Sequence, residues 1–170
     1  NVIYEICNEP NGAVTWKKHI KPYAKTIIGT IRKYSKNAVI VVGTPTWSQD
    51  VDVVAQSPLR SKNVMYALHF YAATHKEWIQ DKLKKAHKKG LPVMVTEFSI
   101  CDASGNGALD KASARKWMKL LDKYNISYTA WSLCNKNESS ALIESSCNKT
   151  SGWTRSDLSP AGKWYFDQTK

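Results

Sequence analysis

The sequence predicts an α/β domain built on a parallel sheet. Three observations carry that prediction. Short β-branched apolar runs bounded by turn formers alternate with longer stretches of helical period. The alternation occurs five times along the 170 residues, about 34 residues per unit. The apolar runs are continuous rather than alternating, as expected of strands covered on both faces. Strand and helix in strict alternation imply right-handed crossovers in a sheet that is either doubly wound or belongs to a barrel. A complete eight-unit barrel takes about 250 residues. The chain is therefore either an open α/β domain or part of a barrel.

Taken in order, strands are expected over 2–7, 38–42, 64–70, 92–98 and 126–133. Helices are expected over 16–34, 76–89 and 109–124, where Leu, Ile and Ala recur three or four residues apart among lysines. A shorter helix is expected over 49–55. A last one opens at Ser159-Pro160, with Ser as N-cap and Pro at the first helical position. Trp16, Trp78, Trp117 and Trp164 fall on helical faces, where packing is their expected role.

Composition narrows the function classes. With 42% hydrophobic residues, seven Trp and eight Tyr, the chain is globular, and one core over residues 1–170 is the default. Its longest wholly apolar run, 38–42, is far short of the roughly 20 residues a membrane-spanning helix needs. No membrane partner is expected. Lys and Arg outnumber Asp and Glu by 25 to 14, giving a net charge of +11. That balance raises nucleic-acid binding as a reading. The lysines at 76, 82, 84, 85, 88 and 89 instead lie where an amphipathic helix meets solvent, and no recognition motif or Gly-rich loop accompanies them. Cys7, Cys101, Cys134 and Cys147 show no metal-ligand spacing, so no zinc site is expected. Sequons begin at Asn125, Asn137 and Asn148, a pointer to secretion. The chain opens on Asn1 with strand-like residues, as a processed or truncated product would.

The chemistry collects at the C-terminal ends of the expected strands: Asn8-Glu9-Pro10, Thr44-Pro45-Thr46-Trp47, His69-Phe70-Tyr71, Glu97-Phe98-Ser99 and Trp131-Ser132-Leu133. That end is where α/β folds carry ligands. Two carboxylates suit glycosidic cleavage, one giving a proton to the leaving oxygen and the other meeting positive charge at the anomeric carbon. Trp47 and Trp131 suit the apolar face of a sugar ring, and amides, His and Tyr suit its hydroxyl rim.

The motifs Tyr4-Glu5-Ile6-Cys7-Asn8-Glu9-Pro10-Asn11-Gly12, Gly43 to Asp50, Asn63 to Ala72 and Trp131-Ser132-Leu133 together resemble glycoside hydrolase family 5 endoglucanases, bacterial and anaerobic-fungal cellulases above all. The resemblance implies a partial (β/α)8 TIM barrel and retaining cleavage of β-1,4-glucan. It makes Glu9 the acid/base and Glu97 the nucleophile, with no cofactor and no metal. Asn8 resembles the Asn that bonds the sugar 2-hydroxyl. His69 and Tyr71 resemble the pair that lines the cleft and orients the nucleophile. Trp131 resembles the Trp beneath the sugar at the scissile bond, and Trp47 one on the leaving-group side. Lys136 and Glu138 match polar residues that bond glucose hydroxyls. The family's Asn-Glu-Pro motif ends its fourth strand, so the first three β/α units, with an Arg that supports the nucleophile and a His beside the cleft, are expected to be absent. A homodimer, or a complementing barrel fragment, is the expected answer to the resulting open seam. A disulfide is expected between Cys134 and Cys147, or else between Cys101 and Cys134. The competing reading is a glucan-binding half-barrel that no longer turns over.

Overall fold

A computed structural model describes residues 2–169. Five strands, β1 (Ile3–Ile6), β2 (Val39–Val42), β3 (Val64–Tyr71), β4 (Val93–Ser99) and β5 (Tyr128–Ala130), form one sheet in the order β1-β2-β3-β4-β5. A doubly wound sheet reverses its order at a switch point. This one does not reverse, and parallel strands laid down in chain order with helical crossovers are the arrangement of a (β/α)8 barrel segment. The open choice left by the sequence is thereby settled as a partial (β/α)8 TIM barrel. The helices are α1 (Lys21–Tyr34), the single turn α2 (Val51–Val54), α3 (Glu77–Lys88), α4 (Lys111–Lys123) and α5 (Pro160–Gln168).

The chain divides into two compact units, the first holding residues up to His69 together with Trp78–Thr96, the second Phe70–Glu77 together with residues from Glu97 on. In the first unit β1 and β2 pair in parallel register, Ile3 with Val39 through Ile6 with Val42, and β2 pairs in turn with β3 from Ile40 and Val64. Ile40, Val41 and Val42 are wholly buried, as continuous apolar strands should be. β1 departs from that expectation. Ile3 is 55% exposed, because β1 has a strand neighbour on one side only among the described residues. Ala24 and Ile28 give α1 its buried stripe, continued by Ile20 just before it. The expected helix over 16–34 opens instead with a π-turn at Trp16–Ile20, which places the Trp16 ring edge-on to Tyr66 at 5.7 Å. The indole N–H then donates to the Ser57 carbonyl at 2.8 Å, so the buried nitrogen is satisfied.

The second unit is built around stacked aromatics. Phe70 lies 3.9 Å from Trp117 and 5.2 Å from Phe98, centroid to centroid. Trp117, wholly buried on α4 with Ala114 and Leu121, donates its N–H to the His75 carbonyl at 2.7 Å. Asp110 caps α4 by accepting from the Ser113 N–H at 2.8 Å, and Lys76 pairs with the same carboxylate. Its carboxyl is held below the usual range by Lys76 first and that N–H second. Ser159 caps α5 as expected, accepting from Gly162 N–H at 2.9 Å. Trp164 is buried there.

Four expectations are corrected. The helix expected over 49–55 is the four-residue α2, preceded by a separate turn at Pro45–Ser48. The strand expected over 126–133 is only Tyr128–Ala130, because the Ser132 N–H turns away to the Ser140 carbonyl. Trp78 is half exposed with Lys82 5.2 Å over its ring, so it decorates α3 rather than packing beneath it. All four cysteines are free thiols. Cys101 and Cys134 instead meet the hydroxyls of Ser99 and Ser132, each at 3.3 Å, and Cys147 faces Asp157 at 3.8 Å.

Candidate active site

In the first unit, Glu9 follows β1 and His69 ends that unit's part of β3. His69 is 2% exposed and its Nδ1 lies 2.8 Å from Glu9 Oε1. Its Nε2 lies 2.9 Å from Thr96 Oγ1, and Thr96 donates onward to Glu5 Oε1 at 2.7 Å. These are three hydrogen bonds in a line, and each needs a proton. Thr96 brings one and a neutral imidazole one. A third would come from a carboxyl group or from a second proton on the imidazole. With the Thr96 hydroxyl directed to Glu5, His69 Nε2 faces the Thr96 oxygen and His69 Nδ1 faces Glu9 Oε1, so the imidazole links the Glu9 carboxyl to Thr96.

The loop after β2 is fastened to the Glu9 segment. Ser48 Oγ donates to the Asn8 carbonyl at 2.6 Å and accepts from Thr44 N–H at 3.2 Å. Trp47 N–H reaches the Pro10 carbonyl at 3.3 Å. Thr46, Trp47 and Ser48 all adopt the left-handed region, with φ of 57°, 55° and 56°. Such residues pay a steric cost that the surroundings must hold in place. Here the anchors do so, and the turn presents Trp47 with 48% of its surface open. Gly43, at the end of β2, passes so close that a Cβ would stand 2.0 Å from the Cys7 carbonyl oxygen. Gly43→Ala should therefore push the backbone before Asn8 and Glu9 and cost ~1–3 kcal/mol of stability, read as an early thermal transition. An unshifted transition would mean the two segments yield freely.

In the second unit, Tyr71 Oη donates to Glu97 Oε1 at 2.8 Å, and the Tyr71 N–H donates to His75 Nδ1 at 2.8 Å. One hydroxyl thus holds a carboxylate that is itself 8% exposed. Trp131 leaves β5 with its N–H on the Phe98 carbonyl at 2.8 Å and 44% of its surface open. Lys136 and Glu138 line a cavity of about 390 Å³ with Asn106 and Ser145. Glu138 accepts from Ser140 Oγ at 3.1 Å.

The candidate site residues thus lie at or beyond the C-terminal ends of the strands. Asn8, Glu9, Trp47 and His69 gather in the first unit, and Tyr71, Glu97, Trp131, Lys136 and Glu138 belong to the second. Thr96, Ser48 and the role of Glu5 escaped the sequence reading. Glu5 carried a signal, a charge inside an apolar strand. Thr96 carried none, since a Thr in a strand is ordinary.

Parallel strands in chain order with polar and aromatic residues at their C-terminal ends define the (β/α)-barrel enzyme class. The chain belongs to glycosyl hydrolase family 5, the cellulase family, whose model matches residues 1–137. It is 51% identical over 162 residues to an endoglucanase of Clostridium saccharobutylicum, covering 95% of this chain and 36% of that protein. It is 43% identical over 170 residues to endoglucanase 5 of Pectobacterium carotovorum subsp. carotovorum, covering 100% of this chain and 34% of that one. The catalytic domain of Thermobifida fusca endoglucanase Cel5A in complex with cellotetraose superimposes with a TM-score of 0.91 at 35% identity, over 100% of this chain and 58% of that domain. The chain therefore spans about a third of the curated relatives it matches.

Proposed function

We propose that the chain is an endo-β-1,4-glucanase that hydrolyses cellulose-type glucans with retention of configuration, Glu97 as nucleophile and Glu9 as acid/base. The observation that carries this reading is the 2.8 Å pairing of Glu9 Oε1 with the buried His69 Nδ1, since a leaving-group acid needs a neighbour with which it can share a proton. In the first step Glu97 attacks the anomeric carbon while Glu9 protonates the departing oxygen, giving a glycosyl ester. In the second, Glu9 takes a proton from water, which opens the ester and frees Glu97. The Tyr71 hydroxyl fixes the attacking carboxylate. Asn8 bonds the 2-hydroxyl, Trp131 and Trp47 stack on sugar rings to either side of the cut, and Lys136 and Glu138 bond hydroxyls. A polymer too large to enter a cell places such an enzyme outside it, so secretion goes with the reading. Association with a second copy along β1 goes with it too, supported by the exposure of Val2 and Ile3, and sedimentation near 19 kDa at micromolar concentration would overturn that part.

The test is the anomer released from a soluble β-1,4-glucan, followed by NMR before mutarotation. The β-anomer is expected first, and the α-anomer would overturn retention. Cellulose binding with no new reducing ends would favour the glucan-binding half-barrel instead.

Thr96 is a positioning residue in this reading. Thr96→Val should lower kcat about tenfold with KM nearly unchanged, since it removes about 1–2 kcal/mol of orientation from His69 rather than a sugar contact. Thr96→Ser, which keeps the hydroxyl, should restore the rate. A failure of Ser to rescue would assign Thr96 to packing alone.

A further inference from the structure

A groove of about 860 Å³ runs between α1 and residues 56–61 in the first unit. The crossover from β2 to β3 supplies short turns and an extended segment here rather than a long helix. Lys21, Lys25, Arg32 and Arg60 line it, and no carboxylate does. Two of these cations are built in. Lys21 Nζ donates to the Ser57 carbonyl at 2.8 Å and to its hydroxyl at 2.6 Å. Arg32 donates to the carbonyls of Ala38 at 2.7 Å and Lys62 at 2.8 Å. The other two, Lys25 and Arg60, are exposed and have no hydrogen-bond or ion-pair partner among the described residues.

We infer that this groove binds an acidic polysaccharide, a chain of uronic-acid type whose carboxylates meet Lys25 and Arg60. Four like charges around a shared hollow repel one another, and an anion placed there relieves all four at once. The Lys21 ammonium already feels the crowding. Partial burial first, then Lys25, Arg60 and Lys17, hold it below the usual lysine range. The rest of the lining selects a sugar over a nucleic acid. Leu59 and Ile28 offer an apolar strip for ring C–H groups, and Ser61 offers a hydroxyl for sugar hydroxyls, while the Gln56 amide is already held by Lys89 and the Asp52 carbonyl. No aromatic ring lines the groove, and single-stranded nucleic acids are held by stacking on such rings. Arg32 ties the groove to the carbonyls that precede β2 and β3, so it lies at the N-terminal ends of the strands. Glu9 and His69 stand at the opposite ends of theirs. The inference therefore holds whether or not those residues are catalytic.

The experiment is affinity electrophoresis of the intact chain in gels containing polygalacturonate, neutral dextran or a single-stranded oligonucleotide, at about 20 and 200 mM salt. Polygalacturonate should retard the protein and dextran should not, with the effect falling as salt screens the contacts. Lys25→Glu combined with Arg60→Glu should weaken binding at least tenfold, while Lys111→Glu with Lys119→Glu, the same change in net charge at exposed residues that do not line the groove, should leave it within about twofold. If the reversed pair melts early, Lys25→Gln with Arg60→Gln carries the same test. Equal loss from both pairs would reduce the effect to net charge and overturn the site. Tighter binding of the oligonucleotide, or no retardation by polygalacturonate, would also overturn it. Cleavage of a neutral soluble glucan should be unchanged in the groove variants.

Discussion

Glu9→Gln should lower kcat on β-1,4-glucan by roughly 10²- to 10⁴-fold, the range that general acid–base groups contribute. The amide keeps the shape of the side chain but has no proton to give to the leaving oxygen. The loss should depend on the leaving group. An aryl glycoside whose phenolate departs unaided should form the glycosyl ester at close to the native rate, and the ester should then persist because nothing activates water. Glu97→Gln should differ in kind, abolishing ester formation with both substrates. A mass increment of one glycosyl group on Glu9→Gln, and none on Glu97→Gln, is the measurement that separates the roles. Equal loss on both substrates for Glu9→Gln would remove it from the acid position, and an ester found on Glu97→Gln would remove Glu97 from the nucleophile position.

The second large effect is on stability. Trp117→Ala should cost about 3–5 kcal/mol, since the ring is wholly buried, stacks on Phe70 and hydrogen-bonds the His75 carbonyl. For a chain of this size that is a fall of roughly 6–20 °C in melting temperature. Removing the ring also leaves that carbonyl without its donor, two residues from the start of α3 and four after Tyr71. Trp131→Ala should do the reverse. Its ring is 44% exposed, so melting should barely move while glucan affinity falls by an amount on the order of 1–3 kcal/mol. Similar melting shifts from the two would show that the exposed ring is as structural as the buried one.

These two tryptophans also mark what could be read from sequence. Trp117 sits among Ala114 and Leu121 at helical spacing, and Trp131 ends a strand beside Ser132. Periodicity and position were enough to tell the buried ring from the exposed one. Trp78 defeated the same logic, because a helix face judged from spacing alone does not say how far round the apolar stripe extends, and Lys82 four residues on covers the ring from solvent's side. The strand-end carboxylates were legible because a charge after a β-branched run is conspicuous. The line from Glu9 to Glu5 was not. It runs through an imidazole and a hydroxyl and includes a bond between Thr96 and Glu5, 91 residues apart, which no local pattern announces. The disulfide expectation failed for a related reason. Proximity in sequence within one loop does not bring two Sγ atoms together, and nearby serine hydroxyls and Asp157 met these sulfurs first.

The left-handed turn at Thr46, Trp47 and Ser48 has a bearing on how this chain would respond to selection. A glycine or asparagine at Thr46 or Trp47 would relax a backbone held under steric cost, whereas at Ser48 it would also remove the hydroxyl that anchors the turn. A laboratory search that scores survival of heat alone would drift toward such replacements, and at position 47 would trade away the ring that the turn exists to lift into solvent. A search that scores cleavage of polymer would hold Trp47 and look for its heat resistance elsewhere. Position 47 would thus record, in the variants each regime keeps, whether the pressure applied was on endurance or on grip.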